Sequence, residues 1–363
     1  MKYIDEFRRR AEAQGLLRKI REISKKEVSI MEICGTHTHS ISKYGIREGL
    51  PSNIKLISGP GCPVCVTSAA DVNRIIDFSR SRRDVIIATF GDMMKVPGSA
   101  SSLQEEKANG ADIRVVYSPL GALDIARKNT GREVVLFAVG FETTVPTVAA
   151  TILAAQKDGL KNLSVLSLHK LTPPAMKALM DSGEIKIDGF ICPGHVTAVI
   201  GAGAYSFLAT DYGAPCVVAG FEPVDAIMGI YMLVRQLEEG RKDIEIEYDR
   251  VVTWEGNRKA QEVINTVFEP SDSLWRGIGN IPGSGLRIRD EFSGFDATAR
   301  FSIPPGVDAE PKGCRCGEVL KGLITPEACP LFAKACNPEF PIGPCMVSSE
   351  GTCAAFYKYR KVA

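Results

Sequence analysis

The sequence predicts an α/β protein: two related domains built on parallel sheets, followed by an irregular, cysteine-rich domain. Three observations predict it. Short apolar runs alternate with helical patterns between residues 29 and 221. Gly, Pro and polar residues gather directly behind those runs. After about residue 240 the pattern breaks, and six of the eleven cysteines fall between Cys314 and Cys353.

In chain order, "MKYIDEFRRRAEAQGLLRKI" is charged and helical in period, so it is not a secretory signal. This helix is expected to pack on the C-terminal domain, because chain ends often meet. Strands are expected at "SIMEI" (29–33), "IKLIS" (54–58), "VIIAT" (85–89), "IRVVY" (113–117), "VVLFAV" (134–139), "VLSL" (165–168), "GFIC" (189–192) and "CVVAGF" (216–221). Helical patterns such as "TVAATILAAQKDG" and "PPAMKALMDSG" lie between them. Apolar strands alternating with helices argue for parallel sheets covered on both faces, and these strands suffice for two sheets of about four. The polar stretch "ARKNTGRE" (126–133) places a boundary between a first domain, 28–128, and a second, 129–240. Gly-Phe-Glu recurs after a strand at Gly140 and Gly220, which implies one strand-to-loop geometry used twice.

Hydrophobic residues make up 45% of the chain and charged residues 24%, which supports a core and argues against wholesale disorder. The net charge is +1, with Lys and Arg dispersed, so no basic footprint for nucleic acid stands out. The most apolar window, "APCVVAGFEPVDAIMGIYMLV", carries Glu222 and Asp225 and reads as strand, loop and helix, not as a membrane span. A cytoplasmic location is therefore expected. There, clustered Cys more often means metal or redox chemistry than structural disulfides.

Open parallel sheets bind ligands beyond the carboxyl ends of their strands. Here those ends carry "CGTHTH", "GPGCPVC", "FGDMMKVPGS", "GFETT", "CPGH" and "GFEP". The first three bring Cys34, His37, His39, Cys62, Cys65 and Asp92 toward one cleft. Thiolates there suit iron, zinc or copper(I). The simpler readings are buried thiols, His39 as a helix-start residue, and Asp92 as a turn or cap. Cys-x-x-Cys alone fits a redox disulfide, half a metal site, or coincidence. His195 and Glu142 are assigned to the second sheet, with local backbone bonding as the simpler role for Glu142. Cys192 and Cys216 lie in or at the ends of apolar strands and read as core.

The last fifty residues hold Cys314, Cys316, Cys329, Cys336, Cys345 and Cys353, with no Cys-x-x-Cys knuckles of a zinc ribbon. Four widely spaced thiols on loops fit an iron–sulfur cluster. Zinc, disulfides or free thiols remain open, and general chemistry does not say which two of the six are left over.

Taken together, these motifs and the C-terminal "CGEVLKG…CPLF…C…PCMVSSEGTCAA" resemble the HypD family of [NiFe]-hydrogenase maturation factors, from about residue 32 to 355. The family's C-x14-C-x6-C-x16-C pattern falls on Cys314, Cys329, Cys336 and Cys353. The resemblance implies that these hold a [4Fe-4S] cluster. It implies that Cys316 and Cys345 form a redox dithiol beside the cluster, similar to that of ferredoxin–thioredoxin reductase. It implies two Rossmann-like domains and an iron–sulfur domain built from residues 1–27 and 241–363. HypC and HypE are the implied partners, with the hydrogenase large subunit reached through HypC and no nucleic acid or membrane.

The activity this resemblance implies is that of a metallocentre assembly scaffold with redox support, not a conventional turnover enzyme. Its cargo is ferrous iron carrying CN and CO, held by Cys34 with a Cys of HypC and tuned by His37 and Asp92. Cys62 and Cys65, which match essential cysteines of the family, cycle as a disulfide or ligate iron directly. Electrons are expected to pass from the cluster through Cys316 and Cys345 toward the cleft. The alternative is an iron–sulfur thiol–disulfide oxidoreductase acting on a protein. A nucleotide enzyme fits poorly, since no G-x-G-x-x-G follows a strand with an acid behind it and no G-x-x-x-x-G-K-[ST] occurs.

Overall fold

The computed structural model describes residues 8–359. All eight expected strands form: β1 (Val28–Glu32), β2 (Ile54–Ser58), β3 (Ile86–Thr89), β4 (Ile113–Val115), β5 (Val134–Gly140), β6 (Leu163–His169), β7 (Gly189–Pro193) and β8 (Cys216–Ala219). Three more join them: β9 (Ile244–Ile246), β10 (Phe268–Trp275) and β11 (Gly279–Ile288). One parallel sheet has the order β2-β1-β7-β8-β9 and a second the order β4-β3-β5-β6. β10 and β11 pair as an antiparallel hairpin. The class is α/β, with an irregular cysteine-rich end.

Both sheets are covered on both faces, as near-continuous apolar strands require. Along β5, Val134, Leu136 and Ala138 enter one core while Val135, Phe137 and Val139 enter another. In the five-stranded sheet, Ile30, Ile191 and Val217 face one side and Met31, Phe190 and Val218 the other. The period of two does this wherever a strand is buried on both sides. Cys192 and Cys216 are fully buried in this core, as expected.

The division into consecutive segments 28–128 and 129–240 is corrected by the strand order. β1 and β2 pair with β7, β8 and β9, while β3 and β4 pair with β5 and β6. Pairing across long separations is settled by packing, and no composition shift along the chain marks it. The N-terminal helix, Arg10–Ile23, is a second correction. Its apolar positions Leu16 and Ile20 pack with Ile227, Ile230 and Val234 of helix Pro223–Glu239, not with the cysteines. That long helix offers the apolar stripe an amphipathic helix needs. Helix Arg258–Val267 and the open end of the hairpin also leave the expected iron–sulfur domain, since Val267, Phe268 and Leu286 join the core of the four-stranded sheet, while Trp275 and Ile281 near its turn stay with the cysteines. Residues 1–7 and 360–363 of that expected domain lie outside the described residues.

Gly-Phe-Glu follows a strand twice, but the loop geometry is not repeated: the next helix starts at Val145 after Gly140 and already at Pro223 after Gly220, where Glu222 is its N-cap. β5 and β8 each stand one in from a sheet edge. Both glycines are sterically required: a Cβ on Gly140 would meet Thr144 Oγ1, and one on Gly220 would lie 2.3 Å from Asp225 Oδ2. Among the described residues, no helix is long and apolar enough to cross a membrane.

Candidate thiol and metal site

β1 and β2 run side by side in the register Glu32↔Ser58, so the loops behind them emerge together. Behind β1, Cys34 stands at the N-cap of helix Gly35–Lys43. Behind β2, Gly59-Pro60-Gly61 leads to Cys62 at the N-cap of the short helix Pro63–Val66. Gly35 N–H donates to Gly61 O at 2.8 Å, and a Cβ on Gly61 would lie 2.2 Å from Cys34 N. Only glycine permits that approach. Cys62 and Cys65 are paired as a disulfide, with Cα atoms 5.2 Å apart.

Cys34 is buried, and burial pushes its thiol up to about 12. The N–H groups of His37 and Thr36 point at its sulfur and oppose that shift, while the carboxylates of Glu350 and Glu32 add to it. Glu32, the last residue of β1, is fully buried. It accepts from Cys34 N–H at 3.1 Å and from Thr38 Oγ1–H at 2.5 Å, and burial raises its carboxyl to about 7. His37 is fully buried; its Nε2–H donates to Gly220 O at 2.8 Å. That leaves Nδ1 a lone-pair acceptor, buried and without a partner among the described residues. Burial lowers its pKa to about 4, so the ring is neutral. Phe221 lies 4.8 Å from the His37 ring and stacks on His195 at 3.9 Å.

The cysteine-rich end closes over this site. Glu350 accepts from Thr36 Oγ1–H at 2.7 Å, and a Cβ on Gly35 would meet the Glu350 side chain at 2.4 Å. His39 Nδ1–H donates to Ser349 O at 3.2 Å and its Nε2 accepts from Tyr359 Oη–H at 3.2 Å. Helix Thr352–Tyr359, which carries Cys353, is thereby held against the helix that begins at Cys34.

Cys314, Cys329, Cys336 and Cys353 line one small cavity, with Leu331, Phe332 and Met346 as its apolar walls. Gly343 leaves room at its edge, since a Cβ there would lie 2.8 Å from Cys314 Sγ. Cys316 and Cys345 also border the cavity, with their sulfurs 2.9 Å apart. On their other side they share a buried cluster with Cys62, Cys65, Val66 and Trp275. Cys65 Sγ lies 4.0 Å from Pro344 O, next to Cys345. Among the described residues, no three His, Cys, Asp or Glu side chains gather around a single metal-ion position. Four thiols spread around an apolar cavity suit a polynuclear cluster, which takes one thiolate per iron.

The family model described as "HypD: Hydrogenase formation hypA family" matches residues 11–360. The chain belongs to the HypD family. It is 48% identical over 371 aligned positions to the hydrogenase maturation factor HypD of Rhodobacter capsulatus, covering 99% of this chain and 98% of that protein. The same factor of Azotobacter vinelandii is 47% identical over 368 positions, covering 99% of this chain and 97% of the relative. That of Escherichia coli K12 is 43% identical over 369 positions, covering 99% of both.

Within this HypD-family chain the structure brings Cys34, His37, Cys62 and Cys65 together and sets Cys316 and Cys345 behind the disulfide. Asp92 is exposed on the turn Gly91–Lys95, and among the described residues no hydrogen bond or ion pair ties it to Cys34 or His37. Its neighbours Met93 and Met94 instead enter the core against which Val64 of the disulfide turn and Val347 pack. His39 is a mid-helix link to the C-terminal helix. Glu142 is buried and accepts from Thr172 N–H at 2.7 Å and Thr172 Oγ1–H at 2.8 Å, so it ties the loop behind β5 to the start of helix Thr172–Ser182 rather than to nearby backbone. His195 comes directly behind β7, which pairs with β1, so it belongs to the sheet of Cys34 and not to a second one. Sequence reasoning missed Glu32 and Glu350. A lone carboxylate inside the apolar run "SIMEI" was a readable signal for the first; the second arrives only through tertiary packing.

Proposed function

We propose that this chain is the scaffold on which the Fe(CN)2(CO) centre of [NiFe]-hydrogenases is assembled, working with HypC, receiving cyanide by way of HypE, and passing its cargo toward the hydrogenase large subunit. Its full-length relatives are hydrogenase maturation factors. The observation that carries the reading is the convergence of one buried thiol, one disulfide, one dithiol and one four-cysteine cavity at the carboxyl ends of both sheets. The setting is the cytoplasm, where such thiols stay exchangeable.

The cargo is ferrous iron, and Cys34 is its ligand on this chain. Coordination to a cation displaces the proton of a buried thiol that otherwise resists ionisation, so iron uptake releases a proton. Helix N–H groups at Thr36 and His37 then stabilise the thiolate. His37, neutral and with Nδ1 unpartnered among the described residues, turns a lone pair to a proton donor, since the cargo itself has none to offer. Asp92 is not given a role. Cys314, Cys329, Cys336 and Cys353 would hold a [4Fe-4S] cluster, which supplies one-electron redox capacity when bound. Cys316 and Cys345 stand between that cavity and Cys62–Cys65, placed for thiol–disulfide exchange with it.

Infrared spectroscopy of the protein purified anaerobically with HypC tests this, in wild type and in Cys34→Ala. Cyanide and carbonyl stretching bands in wild type, absent in the variant, are expected. No bands in a wild-type complex with an intact cluster would overturn the scaffold and leave a thiol–disulfide oxidoreductase.

A further inference from the structure

The hairpin that the sequence concealed ends between the two cysteine pairs. Trp275 bridges to Thr67, two residues past Cys65, and shares the buried cluster of Cys62, Cys65, Cys316 and Cys345. Arg276 N–H donates to Val66 O and its Nε–H to Thr67 O, both at 2.9 Å. Gly277, at φ +74°, lies so close to the residue after Cys316 that a Cβ would stand 2.2 Å from Gly317 Cα. One backbone turn therefore touches both pairs.

The Arg276 side chain is only 2% exposed. Its Nη1 is paired with Glu310 on the exposed segment ahead of Cys314. Its Nη2 is buried with no partner among the described residues. A charged donor left unpaired in the interior is costly to keep.

We propose that Arg276 is the positioning residue of the thiol relay: it fastens the Cys62–Cys65 turn against the Cys316–Cys345 pair and offers its spare N–H to sulfur that carries charge while the disulfide changes hands. The assignment rests on the reading of Cys316 and Cys345 as the dithiol that serves Cys62–Cys65. In that exchange one sulfur of the dithiol attacks the Cys62–Cys65 bond, forms a mixed disulfide and releases the other sulfur as thiolate. The second thiol of the dithiol then displaces the remaining bond. Two electrons and two protons reach Cys62 and Cys65, Cys316–Cys345 becomes the disulfide, and no outside oxidant or reductant takes part. Both steps place negative charge on sulfur, where a fixed, water-excluded donor acts most strongly.

The test uses the full chain with its cluster present, under anaerobic conditions. A jump between oxidising and reducing glutathione buffers is followed by acid quench, differential alkylation and mass spectrometry of both pairs. Arg276→Gln is expected to slow equilibration between the pairs by about tenfold to a hundredfold. Arg276→Lys, which keeps the charge, should recover much of that rate at equal cluster absorbance. Gly317→Ala gives an independent arm should Arg276→Gln not fold, because it pushes the Arg276–Gly277 turn off Cys316 with the guanidinium intact; it too should be slow. Wild-type rates in Arg276→Gln or Gly317→Ala, or equal defects in Gln and Lys, overturn the assignment. Cys345→Ser separates the two readings. If Cys62–Cys65 equilibrates as fast without Cys345, the dithiol reading itself fails and the assignment goes with it.

Discussion

Gly61→Ala tests whether the contact between the Cys34 and Cys62 loops holds the site together. An added Cβ would stand 2.2 Å from Cys34 N and 2.4 Å from Cys34 Cα. Carbon contacts settle near ~3.5–4.0 Å, so the loops must part by more than about 1 Å. Both obstructing atoms are backbone, and no side chain can rotate away. Overpacking of this kind costs about 1–3 kcal/mol. The bond from Gly35 N–H to Gly61 O, 2.8 Å long, would stretch or break, at about 1 kcal/mol more. The expected loss is therefore about 2–4 kcal/mol, read from anaerobic urea unfolding of wild type and variant side by side. The same displacement should remove the iron–diatomic infrared bands of the HypC complex while the cluster absorbance persists, because the cavity lies on the far side of the dithiol. A variant within about 0.5 kcal/mol of wild type that keeps its bands would refute the tight-approach argument.

Further outcomes are expected elsewhere in the molecule. Burial raises Glu142 to about 7 from an ordinary value of 4.5, so the unfolded chain releases this proton first and stability falls as pH rises between those values. Glu142→Gln should reduce that slope, to which Glu32 and Glu247 also contribute, and gain up to about 3 kcal/mol above pH ~7, checked by urea midpoints across pH; an unchanged slope counts against it. Burial lowers His169 to about 3 from 6.5, so its contribution is full above 6.5 and is lost as pH falls toward 3; His169→Asn should flatten the acid limb of the same titration. Lys170 is buried, with Nζ–H donating to Ser273 Oγ at 2.5 Å and Leu274 O at 2.8 Å and Asp71 at 3.6 Å. Lys170→Met should cost about 2–4 kcal/mol, and a neutral variant would show that the hairpin is anchored elsewhere. Cys353→Ala should abolish the visible absorption of the reconstituted cluster, whereas Cys216→Ala, a change in the core of the five-stranded sheet, should leave it intact.

The range of the forces involved decided which features the sequence disclosed and which it withheld. Apolar runs and the polar loops behind them are local, so the eight strands and Cys34, Cys62 and Cys65 were legible. β1 and β2 are also neighbours in the sheet, so their loops met as expected. β9 was hidden because Glu245 interrupts Ile244 and Ile246 at a sheet edge. The hairpin was hidden because Pro270, Pro282 and several glycines read as loop; they are tolerated because the outer edges of the pair meet only isolated bridges, at Trp275 and Gly285, and no full ladder. Strand order is the part that no local signal carries, and it builds the site. Because β7 and β8 come after β1 across the sheet, His37 meets Gly220, Phe221 stacks on His195, and Cys34 gains a second wall. Because Val64 packs against the core of the four-stranded sheet, the disulfide turn bears on the other sheet. Had the strands divided at residues 126–133, Cys34 and Cys62 would still be adjacent, but His37 would have lost Gly220 and Phe221. A site that draws one wall from distant strands ties the environment of its buried thiol to the fold of most of the chain.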